Sequence, residues 1–232
     1  MAFVAETGST NADMMALAAG GAPEGQWLRA GRQVGGRGRM GRAWESPEGN
    51  FHGSTLVRLR AGDPPAHMLA LVAAVAVHAV IAPLARGRTR IKWPNDLMVD
   101  DAKIAGILLE RSGDAVVVGI GINITGAPKG LDRPVTSLWE QGGTDADAAS
   151  IAQRLAEIFA HWLGIWRGQG IEPVLRHWTA NAHAAGRAMQ VAMPDGEIVE
   201  GTFETVDGQG AMILRLADGA TRAIHAGDVF LL

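Results

Sequence analysis

The chain contains no cysteine, and that absence removes a disulfide framework, a thiolate metal site and a cysteine nucleophile together. It fits a reducing compartment, so a cytoplasmic location is expected. The N-terminal stretch MAFVAETGSTNADMM has no basic segment leading into an apolar one, and no secretory signal is expected. An excess of positive charge is missing too. With a formal net charge of −3, no global field would hold the chain on nucleic acid, where binding leans on many Lys and Arg neutralising phosphates. Any anion site must be local. Hydrophobic residues at 47% and charged residues at 19% describe a packed globule, not a disordered chain.

What is present suffices for one sizeable core, or one core with a small appendage, in 232 residues. The longest apolar run, residues 66–85, is Ala-rich and interrupted by His67, His78 and Pro83, which predicts a buried central helix ahead of a membrane span. Short β-branched runs predict strands at 54–59, 89–92, 103–110 and 115–122. The polar, Gly-containing link Arg111 to Asp114 makes the last two a hairpin, so a mixed sheet with antiparallel neighbours follows. Helices are predicted at 12–19, with Asn11 as N-cap, and at 150–167, where Ile151, Leu155, Ile158, Phe159, Trp162 and Trp166 repeat at helical spacing. Trp139, Trp162, Trp166 and Trp178 read as core or helix-packing residues. Beyond residue 185, apolar runs alternate with Pro-Asp-Gly, Asp-Gly-Gln-Gly and Asp-Gly turns, the pattern of a small β-barrel built from hairpins. The expected division is therefore 1–185 and 186–232.

Three segments can carry chemistry. The first, GRQVGGRGRMGRAW at 31–44, interleaves glycines with arginines; the glycines let backbone approach a ligand and the guanidiniums offer paired donors to carboxylate or phosphate. From composition alone, a solvated basic loop describes it equally well. The second, IKWPNDLMVDDAKIAGILLE at 91–110, sets Asp96 on a turn stiffened by Pro94 and opens the next strand at Lys103, with Gly106 beyond it. An acid and an ammonium can so face one pocket, although Asp96 could merely cap a turn and Lys103 merely guard a strand edge. The third, VVVGIGINIT at 116–125, ends in Gly119, Gly121 and Asn123. It lacks the third glycine and helix start of a dinucleotide fingerprint.

Together these segments resemble the biotin–protein ligase family, in order, along most of the chain. Gly8-Ser9-Thr10-Asn11 is similar to the family's STN motif, and Gln33 with Gly36-Arg37-Gly38-Arg39-Met40-Gly41-Arg42 and Trp44 to its GRGRxGRxW loop. Lys92-Trp93-Pro94-Asn95-Asp96-Leu97 and Lys103-Ile104-Ala105-Gly106-Ile107-Leu108 are similar to its KWPNDL and KxxGIL pair. Gly119-Ile120-Gly121-Ile122-Asn123 and Ala226-Gly227-Asp228-Val229 complete the pattern. Met40 departs from it, standing where many members carry a basic residue, as does His52 where Tyr is common.

The resemblance implies an α+β fold, a class II synthetase-like mixed sheet packed with helices, plus a small C-terminal SH3-like barrel. It implies biotin and ATP as substrates, Mg²⁺, and biotinyl-5′-AMP as intermediate on the way to a lysine of a biotin carboxyl carrier protein domain. Ser9, Thr10 and Gln33 would hydrogen-bond the ureido end of biotin, and Asn11, Gly36 and Gly106 would also be ligand-binding. Arg37, Gly38, Arg39 and Lys103 would meet the carboxylate and phosphate, with Trp44 and Asn123 near the nucleotide. Lys103, Arg39 and Asp96 would be catalytic, Asp96 as Mg²⁺ ligand or as base toward the carrier lysine. Repressor-type members carry an N-terminal winged helix; eight residues precede Ser9 and cannot form one, so no DNA binding by that route is expected. A homodimer is left open. The competing readings are a lipoate or octanoate–protein ligase, whose Arg-Arg and Gly-Gly-Gly signature is missing, and a nucleic-acid module using the Arg/Gly loop.

Overall fold

A computed structural model describes residues 1–85, 88–131 and 133–232. Its larger sheet is built from β1 (Ala2–Thr7), β2 (Trp27–Gln33), β3 (Phe51–Arg58), β4 (Thr89–Lys92), β5 (Asp96–Val99), β6 (Ala102–Ser112) and β7 (Ala115–Ile122). The order is β1-β2-β3-β7-β6-β5-β4. Among the described strands β1 and β2 pair in parallel and the other neighbours are antiparallel, with β6 and β7 forming the expected hairpin.

The alternation of side chains along a strand sends neighbours to opposite faces, and here both faces are covered. On one, α1 (Thr10–Ala19) packs Met14 and Ala18 against Leu28, Leu56 and Val117. On the other, Val57, Val116 and Val118 join the main core with α2 (Leu69–Ile81), α3 (Ala148–Gln169) and α4 (Glu172–Ala180). Two-sided burial explains why β7 reads as an unbroken apolar run. Within the long apolar segment the buried helix spans only Leu69–Ile81, with turns on either side, and no helix among the described residues is long and apolar enough to cross a membrane.

Three sequence expectations need correction. The first helix starts at Thr10 with Ser9 at the cap position, and Asn11 is buried, its amide engaged by Glu110 rather than by the helix end. The later helix begins earlier than expected because Asp147 accepts hydrogen bonds from Ala149 N and Ser150 N. Trp166 and Trp178 are fully buried, but Trp139 is 44% exposed. Its indole N–H donates to Ala146 O and pins a turn instead of filling the core.

The smaller sheet comprises β8 (Ala188–Ala192), β9 (Ile198–Val206), β10 (Met212–Arg215), β11 (Thr221–Ile224) and β12 (Asp228–Leu231), in the order β11-β10-β9-β8-β12. All its pairings are antiparallel. The expected hairpins are there, with Gly196, Gly210 and Gly219 at positive φ in their turns. The barrel is not closed: β11 and β12 end the series without pairing to each other among the described residues. This sheet docks on the larger part through Trp93 Nε1, which donates to Gly210 O at 3.0 Å, through Trp178 against Phe203, and through the Arg187–Asp101 ion pair.

Candidate active site

Asp96 opens β5 and Lys103 lies on the adjacent β6, so the sheet brings them together directly. Lys103 Nζ is 2.5 Å from Asp96 Oδ1, and the two side chains are 11% and 13% exposed. Burial pushes the Lys103 ammonium below its ordinary pKa while Asp96 favours its charged form. Burying an ion pair costs desolvation that a well-packed apolar pair would avoid. Its backbone is clamped as well: Lys103 N donates to Pro134 O, and Thr136 N donates to Lys103 O.

Glycines next to this pair make room for aromatic and amide side chains. The Trp44 indole lies over the sheet with Lys103 Nζ 5.4 Å from its ring centre. A Cβ at Gly121 would collide with that indole, and one at Gly106 would come within 3.0 Å of both the indole and Lys103 Nζ. Gly119, two residues earlier on the same face, gives equal clearance to the Asn11 amide. The Gly-x-Gly of β7 thus serves as a bare surface for Trp44 and Asn11.

The basic segment folds back on itself. Arg37 and Ala43 form an antiparallel bridge, Gly38 N donates to Arg42 O at 2.7 Å, and Trp44 N donates to Gly36 O at 2.9 Å. Gly36 has no room for a side chain, since a Cβ would sit 2.5 Å from Trp44 O. At the tip Met40 is held at φ 56 and is 74% exposed. Each arginine has its own anchor: Arg37 reaches Glu110 at 3.4 Å, Arg39 donates to Asn95 Oδ1 and Gly227 O, and Arg42 pairs with Asp228 at 2.7 Å. Burial lowers the Arg39 pKa, with Asp228 and Asp96 opposing the shift.

At the far end lies a neutral network. Thr10 N donates to Gln33 Oε1 at 2.8 Å, and Gln33 Nε2 donates to Ser46 Oγ at 3.1 Å. Ser9, Thr10 and Asn11 are all buried.

These elements surround one cavity of about 380 Å³, reached by Ser9, Thr10, Asn11, Gln33, Arg37, Gly38, Arg39, Trp44, Asp96, Lys103 and Gly106. Gly36 shapes the loop without lining the cavity. Asn123 is placed elsewhere, on a smaller space of about 40 Å³ that shares Trp44 and Lys103 with the first. Its Nδ2 donates to Thr136 O at 3.0 Å. Sequence reasoning assigned no role to Lys92, Arg133, Arg187 or Asp228, all of which line the main cavity. Lys92 and Asp228 sit inside motifs already noted, whereas Arg133 and Arg187 stand alone in the sequence and reach the site only by folding. Cations outweigh the carboxylates Asp96, Asp101 and Asp228, so the cavity suits an anionic ligand with a polar, uncharged far end.

Comparison with known proteins agrees with this chemistry. Residues 17–125 match the biotin/lipoate A/B protein ligase family, and residues 186–232 match the biotin protein ligase C-terminal domain. A biotin–[acetyl-CoA-carboxylase] ligase of Paracoccus denitrificans is 39% identical, covering 98% of this chain and 99% of the relative. Its counterpart from Mycobacterium tuberculosis is 37% identical, covering 97% and 86%. Among solved structures, the biotin protein ligase from Aquifex aeolicus in complex with biotin and ATP aligns with a TM-score of 0.87 over 99% of this chain and 97% of that one; its 24% identity bears on the fold alone. The near-complete match to the first two relatives places the chain in the biotin–protein ligase branch of the biotin/lipoate A/B protein ligase family.

Proposed function

We propose that the chain is an ATP-dependent biotin–protein ligase, which joins biotin to ATP as biotinyl-5′-AMP and passes the biotinyl group to a lysine of a biotin carboxyl carrier protein domain. The observation that carries this reading is the convergence of the Arg/Gly loop, the buried Lys103–Asp96 pair and the neutral Thr10–Gln33 end on one cavity. Likeness to ligases acting on biotin, along nearly the whole chain, favours biotin over lipoate.

In the first step a carboxylate oxygen of biotin bonds to the α-phosphorus of ATP, and the bond to pyrophosphate breaks. Two anions must be brought together. Arg37, Arg39 and Lys103, with Lys92 beside them, offset that repulsion and stabilise the charge that develops on the phosphoryl oxygens. Ser9, Thr10 and Gln33 hold the ureido end, while Trp44 and the adjoining Asn123 space stand on the nucleotide side. Gly106 keeps Lys103 and Trp44 close together.

In the second step the neutral carrier amine attacks the acyl carbon, the acyl–oxygen bond to AMP breaks, and the surplus nitrogen proton passes to water, leaving an amide and AMP. The mixed anhydride is water-sensitive, and the Arg37–Arg42 loop covers it until the amine arrives. Asp96 is tied to Lys103 and holds its ammonium in place in the cavity.

Among the described residues no three His, Asp or Glu side chains form a metal cage. Mg²⁺ commonly rides on nucleotide phosphates with one or two carboxylates, and Asp96, lining the cavity among its cations, fits that donor set. When bound, the ion would screen phosphate charge. The division into a catalytic part at 1–185 and a C-terminal part at 186–232 is supported by the second sheet, which draws only on strands from Ala188 onward.

The test is transfer to a purified carrier domain with ATP and either biotin or lipoate, with mass detection of the acyl-adenylate. Biotin alone should give adenylate and labelled carrier. Adenylate from lipoate, or none from either acid, would overturn the reading.

A further inference from the structure

The closed end of the cavity rests on a chain of hydrogen bonds that the proposed mechanism does not use. Glu110, near the end of β6, accepts from Asn11 Nδ2 at 2.8 Å and from Arg37 at 3.4 Å. A carboxylate only accepts, so Asn11 must turn its amide nitrogen toward Glu110. The Asn11 carbonyl Oδ1 then faces Ser54, whose Oγ lies 2.6 Å from it and 2.7 Å from Thr10 Oγ1.

Ser54 is fully buried and has one hydrogen to give. Asn11 Oδ1 can only accept, so that hydrogen goes to Asn11 and Ser54 Oγ becomes an acceptor toward Thr10. The 2.7 Å contact between Thr10 and Ser54 needs a hydrogen, which Thr10 therefore supplies, while Gln33 Oε1 takes the Thr10 backbone N–H. Toward the cavity Thr10 shows a lone pair. Gly119 belongs to the same device, because a Cβ there would collide with the Asn11 amide. Neither Glu110 nor Ser54 lines the cavity.

We infer that Glu110 is a positioning residue: through Asn11 and Ser54 it fixes the Thr10 hydroxyl as an acceptor, so that the closed end selects a ligand presenting an N–H donor at that point. The inference rests on the biotin–ligase reading, in which the ureido group supplies that N–H.

The experiment compares biotin with its two cyclic carbamate analogues, in each of which one ureido N–H is replaced by oxygen. Binding is followed by isothermal titration and adenylate formation by pyrophosphate release, with thermal melting to verify the fold. The wild-type protein should bind one carbamate roughly 100-fold more weakly than biotin, since a site built around a hydrogen bond rejects the analogue that lacks it. Glu110→Leu frees the Asn11 amide to turn and should cut that preference to about threefold, within the range of a weakened polar contact. Glu110→Gln keeps an acceptor for Asn11 and should restore it. A purely structural Glu110 would alter stability and leave the ratio alone. Should Glu110→Leu fail to fold, Ser54→Ala makes the same break one link nearer to Thr10. A wild-type protein that adenylates biotin, with an unchanged ratio in the folded variants, overturns the inference alone; a wild-type protein that forms no biotinyl-adenylate overturns the ligase reading and the inference with it.

Discussion

The two sheets handle exposure in opposite ways. The larger one is covered on both faces, so β3 and β7 are buried almost throughout; the smaller one leaves Ile198 and Phe230 about half exposed. Their contributions to the cavity differ accordingly. The larger sheet supplies an ion pair at 2.5 Å and the glycine surface beneath Trp44. The smaller one supplies a wall, with Gly227 O holding Arg39 and Asp228 holding Arg42. On the proposed reading the chemistry belongs to the buried sheet, and the open sheet steadies the loop that covers it.

That division can be broken most directly at Lys103. Lys103→Ala should lower biotinyl-adenylate formation by about 100- to 1000-fold, the usual cost of removing one transition-state donor, as read by pyrophosphate release. A loss under threefold would move the chemistry away from the larger sheet.

The junction between the sheets gives the next effect. Burial, helped by Arg187, Lys92 and Arg90 and opposed by Asp101, lowers the His183 pKa from 6.5 to about 4. The unfolded chain therefore binds a proton below pH 6.5 that the folded chain refuses until about pH 4. Stability should fall as pH drops through that window, by up to about 2 kcal/mol once solvent screening is allowed for. Denaturant titrations of the wild type and His183→Leu, whose stability should vary less with pH, measure it; identical pH slopes would contradict the assignment.

The smallest effect belongs to the wall. Arg39→Gly removes a cavity cation with its anchors and should speed release of free biotinyl-AMP by about tenfold, the scale of one charged hydrogen bond. Asp228→Ala breaks only a partly exposed pair and should change release less than about fivefold. Equal effects of the two would show that the second sheet does more than steady the loop.

Much of this was legible in the sequence, for reasons that differ by element. The β6–β7 hairpin and α3 carried strong periodicity with clear turn and packing residues, and the structure has both. The strand expected from Ser54 begins at Phe51, because His52 and Gly53 give no strand signal although the register with β7 continues through them. Edge strand β1 alternates too weakly to be read, with Phe3 exposed. In the site, motif order brought Thr10, Gln33, Arg39, Asp96 and Lys103 together in advance. The reason for Gly119 and Gly121 was hidden, since it depends on Asn11 and Trp44 arriving from distant segments. Glu110, Ser54 and Arg133 were missed for the same cause: each acts across strands or loops, and no local spacing marks it.

The anchor for Arg39 on the smaller sheet is a main-chain oxygen, Gly227 O. Amino-acid replacement there leaves the acceptor itself in place, and only a shift of the strand can withdraw it. Position 227 also resists enlargement, because a Cβ would press on Val191 Cγ1 at 2.5 Å. At Arg39 the loop is therefore moored to main chain, so side-chain changes around that point leave this knot tied, whereas the Arg42 mooring is lost with the Asp228 carboxylate.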